Sequence, residues 1–251
     1  MSEGEKEDIK PDLPEPSIDI KFGCMRVRYW WYVILSFQSI ILILMLGALF
    51  SESWAKQGKG DNKWKGSLNY ITSPDNYEYF DYIDMQKIYC DMDTTKWSYD
   101  SDLADALCKT FKNMRGAGAA FNFFEVLAYV ATVLWMIRVL YSLLEKKFLP
   151  NCWGYVWPSL GLFFHILAEI IWSGATGAKF NGSCDKLNSG SDPEDICATQ
   201  GPAVVLVATL IYIIIATIFY IVYNKRRGIK EEELETDNLH AGGGSLNNNG
   251  V

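Results

Sequence analysis

The sequence predicts a membrane all-α protein of four transmembrane helices, with a small antiparallel β-sheet in the longer of two outer loops. Three observations predict it. Four apolar stretches are long enough to cross a hydrocarbon layer, which takes about 20 mainly apolar residues in a helix. Basic residues gather at one set of their ends, and four of the six cysteines fall in the segments at the other set.

Residues 1–28 carry Glu3, Glu5, Glu7, Asp8, Asp12, Glu15 and Asp19 among Pro11, Pro14 and Pro16. So charged a segment cannot bury enough surface to fold alone, and a disordered acidic N-terminus is expected. The first apolar run is longer than a signal-peptide core and follows a mostly polar stretch, so it is expected to remain as an anchor. Helices are expected at 29–50, 116–140, 152–178 and 201–223, together making a transmembrane domain over 29–223. The first and last contain no charged residue, whereas a soluble helix packed on one side would show a polar stripe. The second contains Glu125, and the third His165 and Glu169. The outer loops are then 51–115 and 179–200. Residues 224–251 read as a disordered tail, with an acidic run from Glu231 to Asp237 and a Gly- and Asn-rich end that holds His240.

Orientation follows from Lys21, Arg26 and Arg28, then Lys146 and Lys147, then Lys225, Arg226 and Arg227. Such residues near membrane ends favour the cytosolic side, so both termini are expected in the cytosol. The lysines of the first outer loop count for little, because long loops are translocated regardless of charge. Cys90 and Cys108 lie in the first outer loop, and Cys184 and Cys197 in the second. Disulfides persist in oxidising compartments, so these four are expected to be oxidised outside. Three pairings are open to four cysteines; the within-loop pairs Cys90 with Cys108 and Cys184 with Cys197 are favoured because each closes a short loop. Cys24 and Cys152 fall at cytosolic borders, as free thiols or palmitoylation sites. Asn181-Gly182-Ser183 is a glycosylation sequon in the second outer loop, with Asn181 the acceptor. The plasma membrane is the expected location.

The stretch from Tyr70 to Tyr89 mixes β-favouring residues with the turn formers Pro74, Asp75 and Asn76, which predicts the sheet. From Asp100 to Asn113 the apolar residues Leu103, Ala106, Leu107 and Phe111 recur at helical spacing behind an Asp/Ser start, predicting a short helix that runs straight into the second span.

With Trp54 just beyond the first helix, Trp64-Lys65-Gly66-Ser67-Leu68 after it, paired loop cysteines at Cys90 and Cys108, Tyr99-Asp100-Ser101 opening the loop helix, and Arg115 before the second span, the chain resembles the claudin superfamily. That group includes claudins, the peripheral myelin protein 22 and epithelial membrane protein group, and the γ-type auxiliary subunits of calcium channels and glutamate receptors. On this resemblance Trp54, Gly66, Leu68 and Arg115 are the motif residues. Gly66-Ser67-Leu68 lacks the tryptophan of the family's Gly-Leu-Trp, the cysteines are more widely spaced, and a second-loop pair is not typical, so the likeness is to a distant, claudin-like member. The resemblance implies a left-handed four-helix bundle under a small extracellular sheet, acting through lateral and extracellular contacts.

Polar groups inside the membrane are the candidates for function, because a charged residue at mid-span costs about 2.5–3.5 kcal/mol on insertion scales. Glu125 and Glu169 are expected at matching depth. His165 lies one turn before Glu169, and Asn122 one turn before Glu125, each on its partner's face. Three uses are open: a cation or proton site formed by Glu125, His165 and Glu169, a polar patch gripping a partner helix, or an interhelical hydrogen bond. Gly116 to Ala120 opens the second helix with small residues that permit close approach.

No H-E-x-x-H, P-loop or G-x-S-x-G sequence occurs, so no enzyme activity is expected. No cofactor and no metal site are expected either, since Asp91 and Asp93 lack the remaining ligands of a calcium loop. The net charge of -7 offers no footprint for nucleic acid. The expected function is that of a non-catalytic membrane protein acting through protein contacts in adhesion, junctions or scaffolding. One alternative is an auxiliary subunit of a cation channel or receptor, and another a small ion or proton conductor. The expected partners are the lipid bilayer and other membrane proteins, including further copies of the chain.

Overall fold

A computed structural model describes residues 21–22, 25–57, 64–73, 78–91, 101–144, 152–180 and 196–243. Four helices are long and apolar enough to cross a membrane. They are α1 (Val27–Leu49), α3 (Ser101–Leu143), α4 (Trp153–Thr176) and α5 (Gln200–Gly243). At 1.5 Å per residue even the 23-residue α1 spans about 34 Å, enough for a hydrocarbon core of about 30 Å. The largest helix contacts are α3 with α4 and α1 with α5, joined by α1 with α3 and α4 with α5, so the four close into a ring. Ile43, Phe163, Ile170, Leu210 and Ile214 stand exposed on its outer surface, as a lipid-facing belt requires.

α3 is one continuous helix of 43 residues in which the loop helix runs straight into the second span, as expected, so it projects beyond the membrane. The segments flanking the spans differ from expectation. α5 continues to Gly243, through residues expected as a disordered tail. Lys, Arg, Glu and Leu dominate 225–235, and all of them propagate a helix well; charge alone had suggested disorder. At the other end, Lys21–Phe22 (β1) and Met25–Arg26 (β2) pair as an antiparallel ribbon inside the segment expected to be disordered. α4 stops at Gly177, whose φ of 63° lies in the left-handed region and whose N–H reaches the Ser173 carbonyl at 3.0 Å, a glycine helix stop.

Outside the spans lies a five-stranded antiparallel sheet in the order β6-β5-β4-β3-β7. Its strands are β3 (Ala55–Gln57), β4 (Trp64–Gly66), β5 (Tyr70–Thr72), β6 (Tyr79–Asp81) and β7 (Cys197–Ala198). The sheet begins earlier than expected, and β7 comes from the other outer loop, pairing Ala55 with Ala198. Tyr82–Cys90, expected within the sheet, forms α2 instead. Tyr82 and Met85 are buried and Tyr89 half-buried, a helical spacing hidden among β-favouring residues. Asp84 in its first turn and Lys87 in its last complement the helix dipole. The predicted turn at Pro74, Asp75 and Asn76 lies outside the described residues.

The Cys90–Cys108 disulfide ties α2 to the outer part of α3. Two apolar clusters fill the interior. One lies around Trp54, Leu68, Phe111, Phe121 and Trp172, where sheet meets helices; the other lies around Trp31, Ile41, Trp135, Tyr212 and Phe219 between the helices.

Candidate functional site

Two places gather the residues the sequence singled out. The first is the seat of the outer cap on the helices. Trp54 is wholly buried, and its main chain joins the cap on both sides: its N–H donates to the Gly66 carbonyl at 2.7 Å and its carbonyl accepts from Thr199 at 3.0 Å. The indole Nε1–H donates to the Ala48 carbonyl of α1 at 2.9 Å. Its ring meets Phe121 of α3 edge-on at 4.4 Å and Trp172 of α4 at 5.0 Å, and a Cβ on Gly201 of α5 would come within 2.7 Å of it. One side chain thus touches all four membrane helices.

Gly66 and Leu68 belong to the same seat. The Ser67 hydroxyl accepts from the N–H groups of Asn69 at 3.1 Å and Tyr70 at 3.0 Å, closing a tight turn between β4 and β5. That turn thrusts Leu68 into the top of the helices, where its carbonyl oxygen would lie 1.8 Å from a Cβ on Gly118. The small residues opening the second span therefore accept a turn of the cap at Gly118, rather than only a neighbouring helix. Gly66 lies under Tyr82, whose hydroxyl donates to the Ser67 carbonyl at 3.0 Å. Burial raises the Tyr82 phenol above its ordinary range. Arg115 is exposed and donates to Gln86 of α2 at 3.1 Å, bracing α2 against α3. Asn122 donates to the Asn69 side chain of the β4–β5 turn at 3.2 Å. It thereby serves the cap, and not the intramembrane group in which the sequence had set it.

The second place is that intramembrane group. His165 Nδ1 lies 2.7 Å and 3.0 Å from the two Glu125 oxygens, and both residues are 0% exposed. His165 Nε2 lies 3.4 Å from the Val205 carbonyl of α5. A carbonyl only accepts, so Nε2 is the donor there, and a second proton lies between Nδ1 and the Glu125 carboxyl. This contact links α3, α4 and α5. The expected depth match of Glu125 with Glu169 gives way to a pairing of Glu125 with His165, one turn deeper. Glu169 is 9% exposed, and neither of its carboxyl oxygens has a hydrogen-bond partner among the described residues. Among those residues no group of three His, Cys, Asp or Glu side chains is close enough to hold a metal ion. Below this layer, Thr132 donates to the Ala128 carbonyl and lies 3.2 Å from the Tyr212 hydroxyl.

Gln38 and Arg138 are among the buried polar residues that the sequence pattern does not single out. Gln38 is 0% exposed with neither end of its amide bonded among the described residues, and Arg138 is buried near the end of α3. Gln38 is uncharged and does not interrupt the first apolar run, and Arg138 falls where the second apolar run ends. Cys152 is an exposed free thiol. Cys197 is disulfide-bonded, while Cys184, Asn181, Cys24, Tyr99 and Asp100 lie outside the described residues. No family model matches the chain, and a search of curated proteins finds no significant relative.

Proposed function

We propose that the protein is a non-catalytic, claudin-like membrane protein that works through contacts of its outer cap and its helices with other membrane proteins, in adhesion, at junctions or as a scaffold. The observation that carries this reading is the Trp54 seat, which holds a small sheet rigidly above four helices and leaves Tyr79, Ile83 and Ile88 of the cap exposed. Exposed apolar residues on an ordered surface offer points of contact to a protein. An ion or proton path through Glu125 and His165 is less well supported, since both are sealed from water and from lateral neighbours. The auxiliary-subunit role uses the same surfaces and differs only in its partner.

The reading includes a plasma-membrane location with cytosolic termini. Two measurements test it. A membrane-impermeant maleimide applied to intact cells should leave Cys152 unlabelled until the cells are permeabilised; labelling from outside would reverse the orientation. Purification in mild detergent should then recover copies of the chain or a channel, and recovery should be lost on Ile83→Asp with Ile88→Asp. Copies of the chain alone favour adhesion and a channel favours the auxiliary role, whereas recovery unaffected by the two substitutions removes the cap from the proposal.

A further inference from the structure

Gln38 sits in the middle of the inward seam of α1. Trp31, Ile34, Ile41 and Met45 recur along that seam at helical spacing, each at most 2% exposed, and all four belong to the apolar cluster between the helices. Gln38 is as deeply buried as they are, yet neither its amide oxygen nor its amide nitrogen has a hydrogen-bond partner among the described residues. The same cluster holds a second such group. Trp135 of α3 is 0% exposed, and its indole Nε1–H is also unpartnered among the described residues. Inside a membrane no solvent supplies the missing bond, so a polar group left in this state is costly.

The two groups lie at neighbouring depths on helices that touch. Trp54 marks a common level, since its indole bonds the Ala48 carbonyl of α1 and its ring meets Phe121 of α3. Counted away from the cap, Gln38 lies about 15 Å beyond Ala48 and Trp135 about 21 Å beyond Phe121. α1 and α3 run antiparallel, and helix side chains lean toward their own N-terminus. Gln38 therefore leans away from the cap and Trp135 toward it, which narrows the step of about 6 Å between them. Contacts at the other end agree. Phe219 of α5 lies 5.9 Å from Trp31, and Tyr212 stands two turns from Phe219 as Gln38 does from Trp31. The Trp135 ring lies 5.3 Å from Tyr212 and 5.4 Å from Phe219, within that same interval.

The chemistry of the pair indicates its ligand. An indole only donates, whereas an amide offers a carbonyl and an NH₂ group. Neither carries a charge, so an ion gains nothing from them. A water molecule accepts from the indole and donates to the amide oxygen, or accepts from the amide nitrogen if the amide is turned the other way, and buried waters take two to four such partners. We propose that a resident water molecule is held between Gln38 of α1 and Trp135 of α3, joining the first span to the second by a polar bridge in the membrane interior. The inference stands apart from the claudin-like reading, since it concerns the interior of the helices and not the cap.

The test uses the full chain in lipid nanodiscs, with nitrogen-15 in the Trp and Gln side chains, and reads Overhauser transfer from water by nuclear magnetic resonance. Loss of one signal in Trp135→Phe identifies that indole, and loss in Gln38→Leu identifies that amide. Both wild-type signals should show a cross-peak at the water frequency, with the rotating-frame sign of a close contact rather than of proton exchange. Gln38→Leu should abolish the cross-peak at Trp135. A wild-type indole without a water cross-peak overturns the proposal, and this reading requires no variant to fold. Contact of the indole proton with Gln38 and not with water would show a direct bond and overturn it too. The hydroxyls of Tyr212 and Thr132, 3.2 Å apart, exchange protons with water and can imitate the signal. A cross-peak lost in Tyr212→Phe or Thr132→Val but kept in Gln38→Leu belongs to them and overturns the assignment.

Discussion

The Glu125–His165 pair and Glu169, all buried in the membrane interior, have opposite relations to stability. His165 satisfies Glu125 and reaches a backbone carbonyl as well, so His165→Ala leaves a buried carboxyl without a partner. The expected cost is about 3–5 kcal/mol, as for other broken buried pairs. Glu169 has no hydrogen bond to lose among the described residues. Glu169→Met removes two unsatisfied oxygens while keeping the volume, and it should leave stability unchanged or raise it by about 1–3 kcal/mol. Thermal unfolding of both variants in the same detergent checks the contrast, and a large loss from Glu169→Met would mean that Glu169 has a partner in the folded protein. The sequence disclosed these residues because charged groups are rare in apolar runs. It could not disclose their pairing: the i, i+4 rule relates His165 to Glu169 along one helix, while the bond is to Glu125 across helices and depends on how α3 and α4 are rotated.

Among the elements, α2 depends most on its covalent tie. The Cys90–Cys108 bridge spans 18 residues of chain, a closure that contributes about 3 kcal/mol on a chain-entropy argument. Cys90→Ser with Cys108→Ser should raise amide exchange across Tyr82–Cys90 and leave α1, α4 and α5 protected. Tyr82 adds a pH dependence to the same element. Its phenol is raised above the ordinary value of 10.0 by burial, so the folded cap holds this proton more tightly than the unfolded chain. The stabilisation is complete below pH 10 and declines as pH rises beyond it. Alkaline melting should therefore loosen α2 before the spans, and Tyr82→Phe should flatten that dependence at a cost of about 1 kcal/mol for the lost hydrogen bond to Ser67. Long apolar runs made the spans legible at this scale, since length and polarity decide them almost alone. The strands are only two or three residues long, too short for a period-2 pattern. α2 was concealed because Tyr, Ile and Met serve either element.

For the whole molecule, the division into spans and outer loops could be read from the chain, but the joint between them could not. It rests on close contacts between segments distant in sequence: Leu68 on Gly118, Trp54 on Gly201, and Ala55 beside Ala198. Trp54→Ala should cost about 3–5 kcal/mol, the usual loss for a buried large aromatic residue. Helical circular dichroism should be retained, while β3, β4 and β5 lose amide protection. Loss of helix as well would mean that the spans need the cap in order to fold.

Because the Trp54 indole is wedged among all four helix ends, the spread of those ends and the tilt of the sheet become a single mechanical variable. Squeezing the leaflet on the cap side then acts as a lever on the cap. Spin labels at exposed Ile88 and Leu210 should change separation as bilayer thickness is varied, and this response should disappear in Trp54→Ala.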